Sequence, residues 1–430
     1  MFVSISKQSF RKLLILVGVL CLSSISLYAQ DDPVTITINP DDITHEISPY
    51  VLGANHGPWA YVPADFVDDV DTLGINFIRF PGGNWGDDNI IRSYQLDDVM
   101  FWAGRMGADV SVSVNLRDGT PDDAAGVVQY ALNKGYDIQY WAIGNEPNLF
   151  GEDWDTERYN VAWRETADAM LAVNPDIEFI GPDISQYRGN PTSDPRDENG
   201  ILWLDSFLEA NGDMVSIVTV HRYPFPSFSE PVTSIEALRN STLEWQNSIP
   251  ILRETIQTIT GEDKPIAITE INSHWNDALL GEATPDSYFN AIWWADVLGQ
   301  LIKADAEIVA YFTLQSNNTI GGYGLYAGFD VRPTYYVYKL YQHFGTQAIA
   351  AESSQQFVNA YAAIREDGRI SVILINLTDE PQNIEMNLSG DAEMLALTQD
   401  SNPTEFVSMN IEGSMDLAPQ SITLLLLDMP

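Results

Sequence analysis

The chain has 430 residues, 45% of them hydrophobic, with 61 acidic against 21 basic side chains and a formal charge of −40. That is enough apolar material for a large core, and it is not the composition of a disordered or fibrous protein. So negative a surface repels phosphate backbones and anionic lipid, which argues against nucleic acid or a membrane surface as partner.

The first stretch, "MFVSISKQSFRKLLILVGVLCLSSISLYAQ", sets Lys7, Arg11 and Lys12 ahead of a continuous apolar run and then turns to small and polar residues. This is the layout of a secretory signal peptide. We expect residues 1–29 to leave after Ala29, an uncleaved anchor being the alternative, and the remainder to be secreted to an extracellular or periplasmic space. The single cysteine, Cys21, lies in that leader. A mature chain without it has no disulfide, no zinc–thiolate site and no cysteine nucleophile. Loss of the three basic leader residues takes the formal charge to about −43.

From residue 50 onward, apolar β-branched runs recur: "YVLGANHG" (50–57), "INFIRFPGG" (75–83), "DVSVSVNLR" (109–117), "IQYWAIGNEPN" (138–148), "IEFIGPDIS" (177–185), "VSIVTVHRYP" (215–224), "PIAITEINS" (265–273) and "EIVAYFTLQS" (307–316). Runs apolar nearly throughout read as strands covered on both faces, and the amphipathic stretches between them supply the helices that parallel neighbours need. In 156–175, Tyr159, Trp163, Ala167 and Met170 recur at helical spacing and Pro175 stops the helix; 333–345 begins at a proline and ends at a glycine. Eight strand–helix units predict a (β/α)8 barrel over residues 49–348. A doubly wound open sheet is the alternative, weakened by the lack of a Gly-rich phosphate loop after the first strand.

After residue 348 the pattern becomes short segments joined by Gly, Asp, Asn and Pro turns, as in "GRISVILINLTD" and "QSITLLLLDMP". Residues 349–430 therefore predict an antiparallel β-sandwich. The stretch "VTITINPDDITHEI" (34–47) has the same character. We expect residues 30–48 to add a strand to that sandwich.

Active sites of such barrels lie at the C-terminal ends of the strands, so polar residues directly behind each apolar run are the candidates. In order they are Asn55 and His56; Arg79 with Gly82, Gly83 and Asn84; Asn115 and Arg117; Asn145 and Glu146; Asp183; His221 and Tyr223; Glu270 and Asn272; Gln315 and Asn317. Glu146 and Glu270, behind the fourth and seventh runs, would then face one cavity from separate walls. Glycoside hydrolysis needs such a pair, one carboxyl group to protonate the leaving oxygen and one carboxylate to attack or to activate water. Arg79 is placed to hold Glu270 ionised, with His221 and Tyr223 within reach of it as donors. Asn145 offers an amide to a neighbouring sugar hydroxyl, Asn84 and Asn55 are further polar contacts, and Trp85 and Trp275 offer indole faces for stacking. Trp141, Trp163, Trp293 and Trp294 read as core, and "PGG" as a turn needing positive φ.

At these residues the chain resembles the clan A glycoside hydrolases, retaining barrel enzymes with the acid/base at the end of strand four ("GNEP") and the nucleophile at the end of strand seven ("TE"). "WAIGNEPNLF" and "ERYNVAWRETA" look most like family 79, the heparanase and β-glucuronidase group, while "RFPGGN" is similar to the α-L-arabinofuranosidases of family 51. The resemblance implies Glu146 as acid/base, Glu270 as nucleophile and Asn145 as the 2-hydroxyl contact. Where many clan members place a Trp at the end of strand eight this chain has "YFTLQSNN", which leaves one wall of the sugar pocket undefined. A glucuronic acid could be held by Arg117 or Arg222, whereas a sulfated polymer would require a basic run that the sequence lacks.

The expectation is a secreted retaining glycosidase acting on a poly- or oligosaccharide, with no metal and no cofactor, and with no oligomeric state indicated. The rival is a non-catalytic carbohydrate-binding protein that keeps the barrel. No HExxH, EF-hand loop or GxSxG elbow is present, so metalloprotease, calcium-switch and serine-hydrolase chemistry lack their parts.

Overall fold

A computed structural model describes residues 32–428 except 228 and 318–319, so the leader lies outside the described residues. The chain from Val34 onward forms one compact unit. Eight strands close into a parallel barrel: β2 (Gly53–Asn55), β3 (Phe77–Phe80), β4 (Asp109–Val114), β5 (Tyr140–Ile143), β6 (Glu178–Ile184), β7 (Val215–Arg222), β8 (Ile266–Ile271) and β9 (Ile308–Tyr311). Each falls inside one of the eight apolar runs. β9 pairs in parallel with β2, so the sheet has no edge and the open-sheet alternative is excluded.

The barrel interior is layered. Phe77, Ile180, Ile217, Ala267 and Ile308 fill the N-terminal end. Two residues further along three of those strands, the inward positions turn polar as Arg79, Thr219 and Thr269, all fully or almost fully buried. Period-two alternation therefore carries the chain from an apolar plug to the site within one pleat.

The predicted helix after β5 runs Thr156–Val173, its first turn capped by Asp155 accepting from the Arg158 amide at 2.8 Å. Its stripe, Tyr159, Trp163, Ala167 and Met170, is wholly buried. The helix expected over 333–345 is shorter, Pro333–Tyr341.

Beyond β9, three two-residue strands form a small sheet: β10 (Gln315–Ser316), β11 (Tyr326–Ala327) and β12 (Asp330–Val331). The C-terminal strands are β13 (Gln347–Ser353), β14 (Val358–Ile364), β15 (Ile370–Asn376), β16 (Gln382–Met386), β17 (Gly390–Leu397), β18 (Val407–Ile411), β19 (Ser414–Leu417) and β20 (Ser421–Leu427). They hydrogen-bond in the order β18-β17-β20-β15-β14-β13-β1-β16-β19, where β1 is the N-terminal strand Val34–Glu46. β1 pairs antiparallel with β13 and parallel with β16. Side chains from across this order, among them Ile36, Val372, Ile384 and Leu425, share one core.

β15 and β20 are buried on both faces, which is why they read as continuous apolar runs rather than alternating ones. One face of each joins the sandwich core; the other, with Ile373, Ile375, Leu424 and Leu426, joins the barrel core. Helix Tyr288–Lys303 is buried nearly all round, Trp293 and Trp294 included. Its Asp296 accepts from Asn359 and Tyr361 of β14 at 2.6 and 2.8 Å.

Candidate active site

The strand ends bring Glu146 and Glu270 together. A carboxylate oxygen of each, and a ring nitrogen of His221, lie within 4.8 Å of one another, and all three residues are buried. Irregular backbone aims them. Glu146 stands in the left-handed region at φ 48° directly after Asn145, a conformation costing a non-glycine residue about 1 kcal/mol or more. Asp183, at φ 57°, does the same near the end of β6. The β7–β8 ladder slips between Val220 and His221, and the β8–β9 ladder slips between Ile268 and Ile271. Such slips let the consecutive residues Thr269 and Glu270 both reach inward, to Asp183 and Arg79 respectively.

Arg79 is the hub. Its Nη1 donates to Glu270 Oε1 at 2.6 Å and to Asn55 Oδ1 at 3.0 Å, and its Nη2 to Asp183 Oδ2 at 2.9 Å and Asn145 Oδ1 at 2.8 Å. Burial favours loss of its proton, but Asp183 and Glu270 more than reverse this and hold the guanidinium charged.

Glu270 is enclosed by donors. Besides Arg79, the Gly83 amide donates to Oε1 at 2.6 Å and the Tyr223 hydroxyl to Oε2 at 2.8 Å. Burial alone would raise its pKa; the charges of His221 and Arg79, with the bonds from Tyr223 and Gly83, bring it below the usual carboxylate range. "PGG" is thus more than a turn. Gly83 sits at φ 64° with its N–H on Glu270, and a Cβ on Gly82 would meet Asn55 Oδ1 at 2.3 Å.

His221 faces the other glutamate, with Nδ1 3.1 Å from Glu146 Oε1, against 3.7 Å to Glu270 and 3.5 Å from its Nε2 to Asp183. The expected reach to Glu270 is thus the longer contact, and the hydrogen bond goes to Glu146. Burial lowers its pKa, but Glu270, Asp183 and Glu146 outweigh burial and push it up to about 9. The same three groups have the spacing of a cation site. The charges of Arg79 and His221 already occupy that spot, so the residues fit a carboxylate pair better than a metal ion.

Asn145 is 1% exposed, and its Nδ2 lies 3.3 Å from Asp87 Oδ2 and 3.4 Å from Oδ1 of the exposed Asn84. Asn55 stands one layer back. It is fully buried, and its amide donates to the Thr269 and Ala310 carbonyls at 2.9 and 3.0 Å. Trp275 is 54% exposed on the rim, its Nε1 donating to the Pro226 carbonyl at 3.0 Å. Trp85 lines a hollow of about 760 Å³ with Asn89, Tyr94 and Asn115.

The strand-eight wall is Phe312, followed by a cis peptide to Thr313. Its ring stands edge-on to Tyr223 and Tyr323 at centroid distances of 6.2 and 5.2 Å, and 6.0 Å from Trp59. Tyr323 has no strand-end signature in the sequence; Gly83 stands behind the second run, but no side chain signals its amide as a donor. Arg117 and Arg222, the candidates for an acidic sugar, are paired within the protein: Arg117 is bridged to Asp88 and Asp118, and Arg222 lies at 2.8 and 2.6 Å from the two oxygens of Glu244.

No family model matches the chain. Rat (Rattus norvegicus) heparanase is 25% identical over 218 residues, 47% of this chain and 37% of its own length. An intracellular exo-α-(1→5)-L-arabinofuranosidase of Halalkalibacterium halodurans is 24% identical over 201 residues, 37% of this chain and 38% of its own. The matches thus span less than two fifths of those relatives. The crystal structure of the GH51 arabinofuranosidase from Xanthomonas axonopodis pv. citri superposes with a TM-score of 0.72 over 92% of this chain and 100% of its own, at 14% identity, a likeness of fold. The chain is therefore similar to clan A glycoside hydrolases, as its strand-four and strand-seven motifs led us to expect.

Proposed function

We propose that the protein is a retaining glycoside hydrolase in which Glu270 is the nucleophile and Glu146 the acid/base. Glu270 attacks the anomeric carbon while the bond to the leaving oxygen breaks and Glu146 delivers a proton to that oxygen, leaving a glycosyl ester. Water then attacks the same carbon, Glu146 takes its proton, and the ester bond to Glu270 breaks. The observation that carries this reading is the approach of the two carboxylates, an oxygen of one lying within 4.8 Å of an oxygen of the other. So close a nearest-oxygen approach favours double displacement, whose carboxyl groups stand roughly 5–5.5 Å apart, over inversion, whose groups stand roughly 6.5–9.5 Å apart.

The asymmetry of the pair supports the assignment. Glu270 has an arginine, a backbone amide and a phenol on its two oxygens, the surroundings of a group that works ionised. Glu146 has His221. With Arg117 and Arg222 paired within the protein and a net charge of −40, the substrate we favour is a neutral poly- or oligosaccharide rather than a sulfated or uronic one. The leader is read as an export signal that delivers the enzyme to such a glycan outside the cytoplasm. No helix among the described residues is long and apolar enough to cross a membrane.

A panel of nitrophenyl glycosides tests the reading. Turnover of at least one sugar, abolished by Glu146→Gln and by Glu270→Gln, is expected. Glycan binding with no turnover on any sugar would instead favour the non-catalytic binder.

A further inference from the structure

We propose that Asp87 is a positioning residue, whose carboxylate grips the side chain and the backbone of Asn145 and so sets both the sugar-facing amide and the adjoining acid/base. The inference rests on the functional reading above. Asp87 is 2% exposed on the short turn of helix Trp85–Asp88, and its own carbonyl accepts from Asn115 Nδ2 at 2.7 Å. Among the described residues both hydrogen bonds to its carboxylate come from one partner. Oδ1 accepts the Asn145 backbone N–H at 3.1 Å, and Oδ2 accepts Asn145 Nδ2 at 3.3 Å.

This arrangement admits a single amide orientation. Arg79 can only donate, and it holds Asn145 Oδ1 at 2.8 Å. The Asp87 carboxylate accepts, and it holds one Nδ2 hydrogen. A flipped amide would set donor against donor and acceptor against acceptor. One Nδ2 hydrogen remains, 3.4 Å from Oδ1 of the exposed Asn84, a long contact that a sugar hydroxyl can replace. The backbone bond fixes the Gly144–Asn145 peptide, one peptide ahead of Glu146, whose own N–H donates to the Asp183 carbonyl at 3.2 Å and whose left-handed conformation tolerates little drift. Burial raises the Asp87 carboxyl to about 8 against the two Asn145 bonds and the charge of Arg117, which lower it, and in either protonation state each of its oxygens keeps a lone pair for Asn145. A buried carboxyl group with no arginine bonded to its oxygens is a costly way to fill space, and the Asn145 clamp is what it performs.

The test compares Asp87→Asn, which keeps one acceptor and sets an NH2 against Asn145 Nδ2, with wild type on an aryl glycoside and on its 2-deoxy counterpart. We expect kcat on the parent glycoside to fall on the order of tenfold or more with KM little changed, a smaller ratio between variant and wild type on the 2-deoxy substrate, and little further loss when the change is made in an Asn145→Ala background. Equal slowing of both substrates, or losses that multiply with Asn145→Ala, would overturn the inference. Asp87→Ser, which also keeps one acceptor oxygen, carries the same comparison should Asp87→Asn fold poorly. Absence of any wild-type turnover would defeat the hydrolase reading itself; a working wild type with additive variants defeats only the role of Asp87.

Discussion

Arg79 Nη1 lies 2.6 Å from Glu270 Oε1 with the two side chains 1% and 4% exposed, an ion pair formed where water does not reach. The second amine of Arg79 balances Asp183 in the same way. Removing the arginine strands two buried carboxylates. Arg79→Ala should cost about 3–5 kcal/mol of folding stability together with activity. Arg79→Lys should recover part of the stability but little turnover, because an ammonium cannot span both carboxylates. Denaturant midpoints measured beside turnover check this; an unaffected midpoint for Arg79→Ala contradicts the hub role.

Tyr223→Phe removes one hydroxyl and little else. Its bond to Glu270 Oε2, 2.8 Å, is made to a charged acceptor, for which about 1.5–3 kcal/mol is usual. Turnover should therefore change by roughly tenfold to a hundredfold, the sign set by whether the bond is weaker or stronger in the transition state. Steady-state kinetics on one substrate suffices, and unchanged kcat and kcat/KM would mean that the bond contributes nothing to the difference between ground and transition state.

His221 sets an alkaline limit on stability. Its pKa is pushed up from an ordinary 6.5 to about 9 in the fold. The folded state thus binds the proton more tightly than the unfolded chain, so the stabilisation is complete below about pH 6.5 and is lost as pH rises through about 9. Denaturation followed from pH 6 to 10 should show wild type losing stability across that window and His221→Gln losing less. Parallel curves for the two proteins would remove the imidazolium from the account.

Asp296 ties the barrel to the sandwich. It is fully buried and accepts from Asn359, Tyr361 and Gln300 at 2.6–2.8 Å. Asp296→Leu would leave those donors unsatisfied, at about 1–3 kcal/mol for each one that finds no water. A thermal melt should shift down by several degrees or more, and a melt within a degree of wild type would show that the donors are hydrated.

The barrel was legible because its strands are covered on both faces and so appear as unbroken apolar runs. The two glutamates were legible because each stands directly behind such a run. Trp141, Trp163, Trp293 and Trp294 are in the core, as their setting implied. β13 escaped notice since "QAIAAES" is alanine-rich and lacks the β-branched density of its neighbours, and β19 has only four residues. What remained hidden in the site is chemistry without a side-chain signature, namely the Gly83 amide on Glu270. Also hidden were groups whose role depends on where a loop returns, Phe312, Tyr323 and Asp87. Asn55 shows the converse limit: a polar residue at a strand end whose amide turns back to strand carbonyls and supports Arg79.

The most direct test follows the anomeric configuration of the first-formed sugar by proton NMR during hydrolysis by wild-type enzyme. Two displacements at one carbon, through an ester on Glu270, predict that the product first appears with the configuration of the substrate and then mutarotates. A first product of opposite configuration would mean that water attacks directly, and that two carboxylates within 4.8 Å are not the catalytic pair acting as described.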